Sequence, residues 1–197
     1  VPSITPTPSP EAVAVTRQGF VQIAGRLSYA FIVRNPNAEL IARDLPFQLI
    51  VYDQSGIVLR TDTGAVPVVL AGGETSTAQA IDLPAGLQAA RIEVLLGDAL
   101  FVRSVPQPTI SFENIAFVPG DPARITGLVR NPLQASLQGL SVVALAFDAG
   151  GQIIGSGAAE VPFIPAAGQA AAEVTVAVAG DVASVGLFAR PTDLLAP

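Results

Sequence analysis

The four residues Val33-Arg34-Asn35-Pro36 return 96 residues later as Val129-Arg130-Asn131-Pro132, each time closing an apolar run. Further landmarks keep step at a spacing of 95: Leu45 with Leu140, Asp53 with Asp148, Gly56 with Gly151, Val66-Pro67 with Val161-Pro162, and Gly73 with Gly168. Fixed spacing over so many positions predicts an internally duplicated unit. The one residue lost between the Asn and the Leu falls where a loop tolerates it. A chain of 197 residues is also about right for two small cores.

Each landmark has a backbone reason. Proline lacks an N–H and pushes the preceding residue to extended geometry, so Asn35-Pro36 and Asn131-Pro132 should end strands, with Asn bonding the turn. In Asp53-Gln54-Ser55-Gly56 and Asp148-Ala149-Gly150-Gly151 the Asp can accept from the backbone two residues on, while Gly supplies a positive φ. Gly73 and Gly168 read as further turns. Between them lie short runs rich in Val, Ile, Leu and Phe, such as Leu45–Tyr52 and Leu140–Phe147, with no helical periodicity and turn residues every eight to twelve positions or so. The predicted fold is all-β, with two tandem immunoglobulin-like β-sandwich domains and a Pro-rich extended N-terminal arm. Boundaries are expected at 1–11 for the arm, 12–104 and 109–197 for the sandwiches, and 105–108 for a proline-stiffened linker. About seven strands are expected in each half, in the first near 12–23, 26–35, 45–52, 56–62, 66–70, 75–82 and 89–96.

Both parities of the central strands are apolar. In the first half Phe47, Leu49 and Val51 occupy one face, Ile50 and Tyr52 the other; Leu145 and Phe147 are the counterparts in the second half. One face must be core, which leaves the other to be covered or exposed. Charged residues are only 13% of the chain against 50% hydrophobic ones, which fits either a partner interface or self-assembly that covers the surface, or an Ala- and Val-rich bias whose small side chains raise hydropathy without making patches.

Charge and composition exclude several classes of function. All basic residues are Arg, the net charge is −6, and aromatic residues are 6%, so neither nucleic acid nor an anionic membrane surface is an expected partner. Asp148, Glu160, Glu173 and Asp181 interrupt the most apolar third, and no membrane span is predicted. The opening VPSITPTPSPEA reads as an extended polyproline-like arm, a candidate for O-linked glycans. Such an arm suits an exported protein, and the expected location is extracellular or on the cell surface after removal of a signal peptide.

Leu49-Ile50-Val51-Tyr52-Asp53 and Ala144-Leu145-Ala146-Phe147-Asp148, each preceded by an Asn-containing strand end and followed by a glycine turn, resemble the FxLYD domain and related bacterial immunoglobulin-like envelope modules. Leu49 and Ala144 stand where the family has Phe. The resemblance implies an exported, non-catalytic β-sandwich, and it carries over no site residues.

With no Cys and no His, the chain cannot build a Ser-His or Cys-His nucleophile or a zinc site of the usual ligands. Asp44, Asp53, Asp62, Asp121 and Asp148 could pair as carboxylates, but turn chemistry accounts for them first. No calcium-loop pattern occurs, Arg34 and Arg130 read as solvated strand ends, and neither an enzyme nor a cofactor is expected. The expected role is a structural subunit of an extracellular assembly that self-associates into a homopolymer, a filament joined by the N-terminal arm. An accessory or adhesion module of the cell envelope is the alternative. The expected assembly contacts are Val13, Val15, Ile50, Tyr52, Leu145 and Phe147.

Overall fold

The computed structural model describes residues 9–104 and 109–190. Most of the expected arm and the whole expected linker lie outside the described residues. Those residues form thirteen strands and no helix. In the first half these are β1 (Ala14–Ile23), β2 (Arg26–Arg34), β3 (Leu40–Tyr52), β4 (Val58–Val69), β5 (Glu74–Asp82), β6 (Arg91–Leu96) and β7 (Leu100–Arg103). The second half supplies β8 (Ser111–Val118), β9 (Ala123–Arg130), β10 (Leu137–Phe147), β11 (Ile153–Ile164), β12 (Gln169–Val178) and β13 (Ser184–Ala189).

In the first half, sheet β1-β2-β5 faces sheet β4-β3-β6. Between them alternate residues of β2 (Leu27, Tyr29, Phe31, Val33) meet those of β3 (Leu45, Phe47, Leu49, Val51). Phe31 and Phe47 lock the two sheets edge to face, with ring centroids 4.9 Å apart. Two corrections to the expected strands arise here. The segments 56–62 and 66–70 form the single strand β4, whose Pro67 is tolerated because β4 is an edge strand and needs no second set of N–H donors. β7 was not anticipated; it continues the register of β6 along the same edge of β3, since Phe47 pairs with Leu96 and Arg43 with Leu100.

The side between β1 and β6 is closed by side chains. Gln18 donates from Nε2 to the Ile92 carbonyl (3.2 Å) and accepts from the Val94 N–H (3.1 Å). Gln22 does the same with the Leu87 carbonyl (2.7 Å) and the Ala89 N–H (2.8 Å). Each amide stands in for a missing ladder rung, so β6 presents no free edge there.

The second half differs in two ways: among the described residues it has six strands and not the expected seven, with none answering β7, and they form one sheet, β13-β10-β11-β12-β9-β8, wrapped around its own core. Gly155 pairs with Val178 and Ser156 with Ala177 to join β11 to β12. Glycine makes that contact possible, because a Cβ on Gly157 would overlap the Thr175 carbonyl oxygen and one on Gly155 would sit 2.6 Å from Val178 Cγ2. At the matching places in β4 the first half carries Arg60 and Asp62. Arg60 reaches across to the Asp82 carbonyl (3.1 Å), and Asp62 accepts from the Tyr29 hydroxyl (3.0 Å). Side chains thus fill the space where the second half makes a backbone ladder.

The repeated Asn-Pro phrase is a pin between two loops. Asn35 and Asn131 are 0% and 1% exposed. Asn35 Nδ2 donates to the carbonyls of Leu40 (2.6 Å) and Leu70 (3.2 Å), and its Oδ1 accepts from the Asn37 N–H (3.1 Å). Asn131 Nδ2 donates to Ala135 (2.8 Å) and Pro165 (2.9 Å), and its Oδ1 accepts from Leu133 N–H (2.9 Å). Each therefore ties the loop after its own strand to the turn carrying Gly73 or Gly168, whose carbonyl also accepts from the Asn backbone N–H. The left-handed residue of that turn is one position earlier, Gly72 (φ 62°) or Ala167 (φ 49°).

Asp53 and Asp148 cap equivalent turns. Asp53 Oδ1 accepts from Ser55 and Ile57, Asp148 Oδ1 from Gly150 and Gln152, and Gly56 and Gly151 take φ of 80° and 77°.

Candidate interaction surface

A third buried cluster joins the halves. Ala30 and Ile32 of β2 and Ala78 of β5 pack on Val143, Leu145 and Phe147 of β10 and Ile153 of β11, with Phe188 of β13 at the border. The outer face of β1-β2-β5 therefore lies on the outer face of β13-β10-β11. Arg17 of β1 caps the Phe147 ring, 5.4 Å from its centroid. Gly19 of β1 meets the backbone of Ile153 so closely that a Cβ there would lie 2.7 Å from Ile153 Cβ.

This corrects the expected assembly contacts. Leu145 and Phe147 are 0% and 7% exposed because the first half of the same chain covers them, so they are not available to another copy. Val13 is in the first core and Val15 pairs with Val33 in β1, so both serve their own sandwich. The sequence reading missed Ala30, Ile32 and Ala78. One sign was present, since Tyr29–Val33 is apolar at both parities, as a strand covered on two faces must be, but Ala30 and Ala78 are too small to stand out in sequence.

Ile50 and Tyr52 lie on the uncovered outer face of β4-β3-β6, with Val58 (50% exposed) and Leu95 (46%) beside them. In the second half the matching places are Leu145, Phe147, Ile153 and Phe188, all part of or bordering the buried junction. Tyr52 is covered by its own neighbours instead. Arg91 lies 3.8 Å above its ring centroid, and its hydroxyl donates to Glu93 (2.9 Å). That hydroxyl, and then the Arg91 guanidinium, hold the Glu93 carboxyl below the usual carboxylate range.

The opposite outer face, β8-β9-β12, is polar. Arg124 pairs with Glu173 and Arg130 with Glu113, both at 3.2 Å and well exposed. Such pairs are worth at most about 1 kcal/mol but keep a surface wet.

Where the two halves diverge, a groove opens. One section, of about 570 Å³, runs between Ile23 and Arg26 on the first half and Phe117, Pro119, Pro122 and Val178 on the second. A second section, of about 410 Å³, continues from it past Ser28, Ala78 and Ala80 to Ser156 and Gly157. The two share Arg26, Ser28, Thr175 and Ala177. The lining is mostly apolar or small but also holds Gln79, Asp121 and Arg26, the last engaged by Asp82 at 3.7 Å. Clefts of this size at the junction of two units suit a mostly apolar ligand.

Among the described residues no group of three or more acidic side chains converges as a metal site, and no helix is long and apolar enough to cross a membrane. The turn residues Asn35, Pro36, Asp53, Gly56 and Gly73, with Asn131, Pro132, Asp148, Gly151 and Gly168, lie at strand ends and turns away from the groove.

No protein-family model matches the sequence, and no curated protein matches it. Among solved structures the chain is similar to the transglutaminase of red sea bream, at 13% identity and a TM-score of 0.29. The match covers 89% of this chain and 29% of that one. A likeness at that level carries no argument about activity.

Proposed function

We propose that the chain is a non-catalytic structural subunit of an extracellular or cell-surface assembly. It is built as two tandem immunoglobulin-like sandwiches that arose by internal duplication and belong with FxLYD-like envelope modules. The observation that carries this reading is the shared cluster around Leu145 and Phe147, which fuses the halves sheet on sheet. A buried junction of that kind makes a stiff block, where a bare linker would leave two beads free to turn. The repeated Asn pins and Asp-Gly turns support duplication, and the absence of Cys and His from the sequence favours a non-enzymatic role.

The groove between the halves favours a second reading, an adhesion or ligand-binding module. Sedimentation velocity and negative-stain microscopy of the full chain over a wide concentration range test the first. Concentration-dependent, head-to-tail growth is expected. Protein that stays monomeric at the highest concentration would remove the assembly and leave the binding module.

A further inference from the structure

We infer that the junction between the halves is an exchangeable contact: the β1-β2-β5 face of a second copy takes the place of the chain's own on β13-β10-β11. This deepens the assembly reading and rests on it. The first observation is that the halves are separate units. Each has its own buried core, β1–β7 around one and β8–β13 around the other, and the chain passes between them once, after β7 and before β8. A unit with its own core can leave its neighbour without losing that core.

The second observation is what crosses the junction. Among the described residues, Ser104 beside the passage apart, every strand pair, hydrogen bond and ion pair joins residues of the same half. What crosses is apolar packing of Ala30, Ile32 and Ala78 on Leu145 and its neighbours, with Arg17 over the Phe147 ring. The contact also buries a polar group at a cost. Ser76, two positions before Ala78 on the same face of β5 and 2% exposed, has a hydroxyl with no hydrogen-bond partner. Contacts of this make belong to units that dock and release, not to a core that folds as one.

The partner follows from the fit. The face that matches Leu145 and Phe147 is seen within the chain, and every further copy carries the identical face. A closed chain hides both faces, whereas an open one presents both. Own and exchanged contacts are the same, so only concentration decides between them, and a partner joined by a short connection acts at an effective concentration on the order of 1 mM. The β8-β9-β12 face does not compete, because it is polar and Ala116 carries a Cβ where Gly19 has none. Reciprocal exchange between two copies gives a closed dimer. Serial exchange joins two different faces and adds copies in a line unless the rotation closes a ring.

The sequence has no Cys, so Ala80→Cys on β5 and Ala158→Cys on β11 supply the only thiols; both residues are exposed and line the second groove section from opposite halves. A bismaleimide with a disulfide in its spacer locks the closed monomer in dilute solution. The locked chain should not assemble at about 1 mM, and reductant, which cuts the spacer, should restore the assembly of the unlocked protein. Two further full-length variants make the test independent of the lock. Ala78→Arg spoils one face and Leu145→Arg the other. Each alone should stay monomeric, and an equimolar mixture at about 1 mM should give heterodimers and nothing larger in sedimentation velocity. A locked chain that assembles like the unlocked one, or a mixture without heterodimers, would overturn the exchange and leave the assembly reading in place. A parent chain that never assembles would remove both.

Discussion

Gly19 lies against Ile153 with no room for a methyl group, and this contact sets how the two halves dock. Any Cβ at residue 19 would overlap the Ile153 carbonyl oxygen. By strand register the equivalent of Gly19 in the second half is Ala116, since Gly19 pairs with Ala30 and Ala116 with Thr126. The β8 strand therefore cannot lie on another sheet in the way β1 lies on β11. The docking that joins the two halves is thus not open to β8 in the same geometry.

Gly19→Ala should destabilise the chain by about 1–3 kcal/mol through overpacking at the junction. Urea denaturation measures this. Unchanged stability would mean that β1 can lift from β11 at no cost and that the halves are less firmly joined than the contact implies.

Asn131→Ala should cost about 1–3 kcal/mol. It removes the buried amide that bonds the part-buried carbonyls of Ala135 and Pro165 and leaves a void where that amide packed. Asn35→Ala should behave alike, because its partners Leu40 and Leu70 stand in the same relation. Thermal melting of the two variants checks it. A neutral result at both sites would reduce the repeated phrase to a strand terminator set by proline alone.

Much of the fold was legible because its signals are local. Asp-x-x-Gly names a turn by backbone chemistry, and Asn-Pro names a strand end, so β2, β5 and β6 fall within a few residues of their expected bounds. Val66-Pro67 misled, since proline suggests a break, yet on an edge strand it breaks nothing. The interaction surface was half legible. An apolar second face on β10 was evident from Leu145 and Phe147, but which partner covers it depends on small residues elsewhere. Gly19, Ala30 and Ala78 act by what they do not occupy, and in sequence they look like ordinary strand filler. Arg124 and Thr126 were the contrasting sign: they stand on β9 where Ser28 and Ala30 stand on β2, and they mark a face that stays in water.

Alkaline pH should weaken the first half. Burial, and then the Asp62 carboxylate that accepts from its hydroxyl, raise the Tyr29 phenol well above its usual value of about 10. The folded state therefore keeps this proton where the unfolded state gives it up. The associated stability is fully present below pH 10 or so and is lost as pH rises from there toward the folded value. Tyr29→Phe should flatten the fall in melting temperature above that point, relative to the parent chain. An identical alkaline slope in both proteins would show that Tyr29 does not control it.

Gly157→Asp should partly convert the second half to the arrangement of the first. Asp62 occupies the matching place in β4, and there β4 and β5 share no ladder. A side chain at residue 157 would overlap the Thr175 carbonyl, so β12 has to move away from β11. In the first half Asp62 finds the Tyr29 hydroxyl, which Gln79 Oε1 also contacts, whereas the second half has Ile125 and Val174 in the places of Tyr29 and Gln79, and neither can bond a carboxylate. The substitution should therefore cost more than overpacking alone, above about 3 kcal/mol, because it adds a poorly paired charge to lost strand pairing. Hydrogen exchange locates the effect: the Ala179 N–H, which donates to the Ile154 carbonyl, should exchange faster, while amides between β10 and β13 keep their protection. Unchanged exchange at Ala179 would mean that close approach of the two strands does not depend on glycine, and that the different closure of the two halves has another origin.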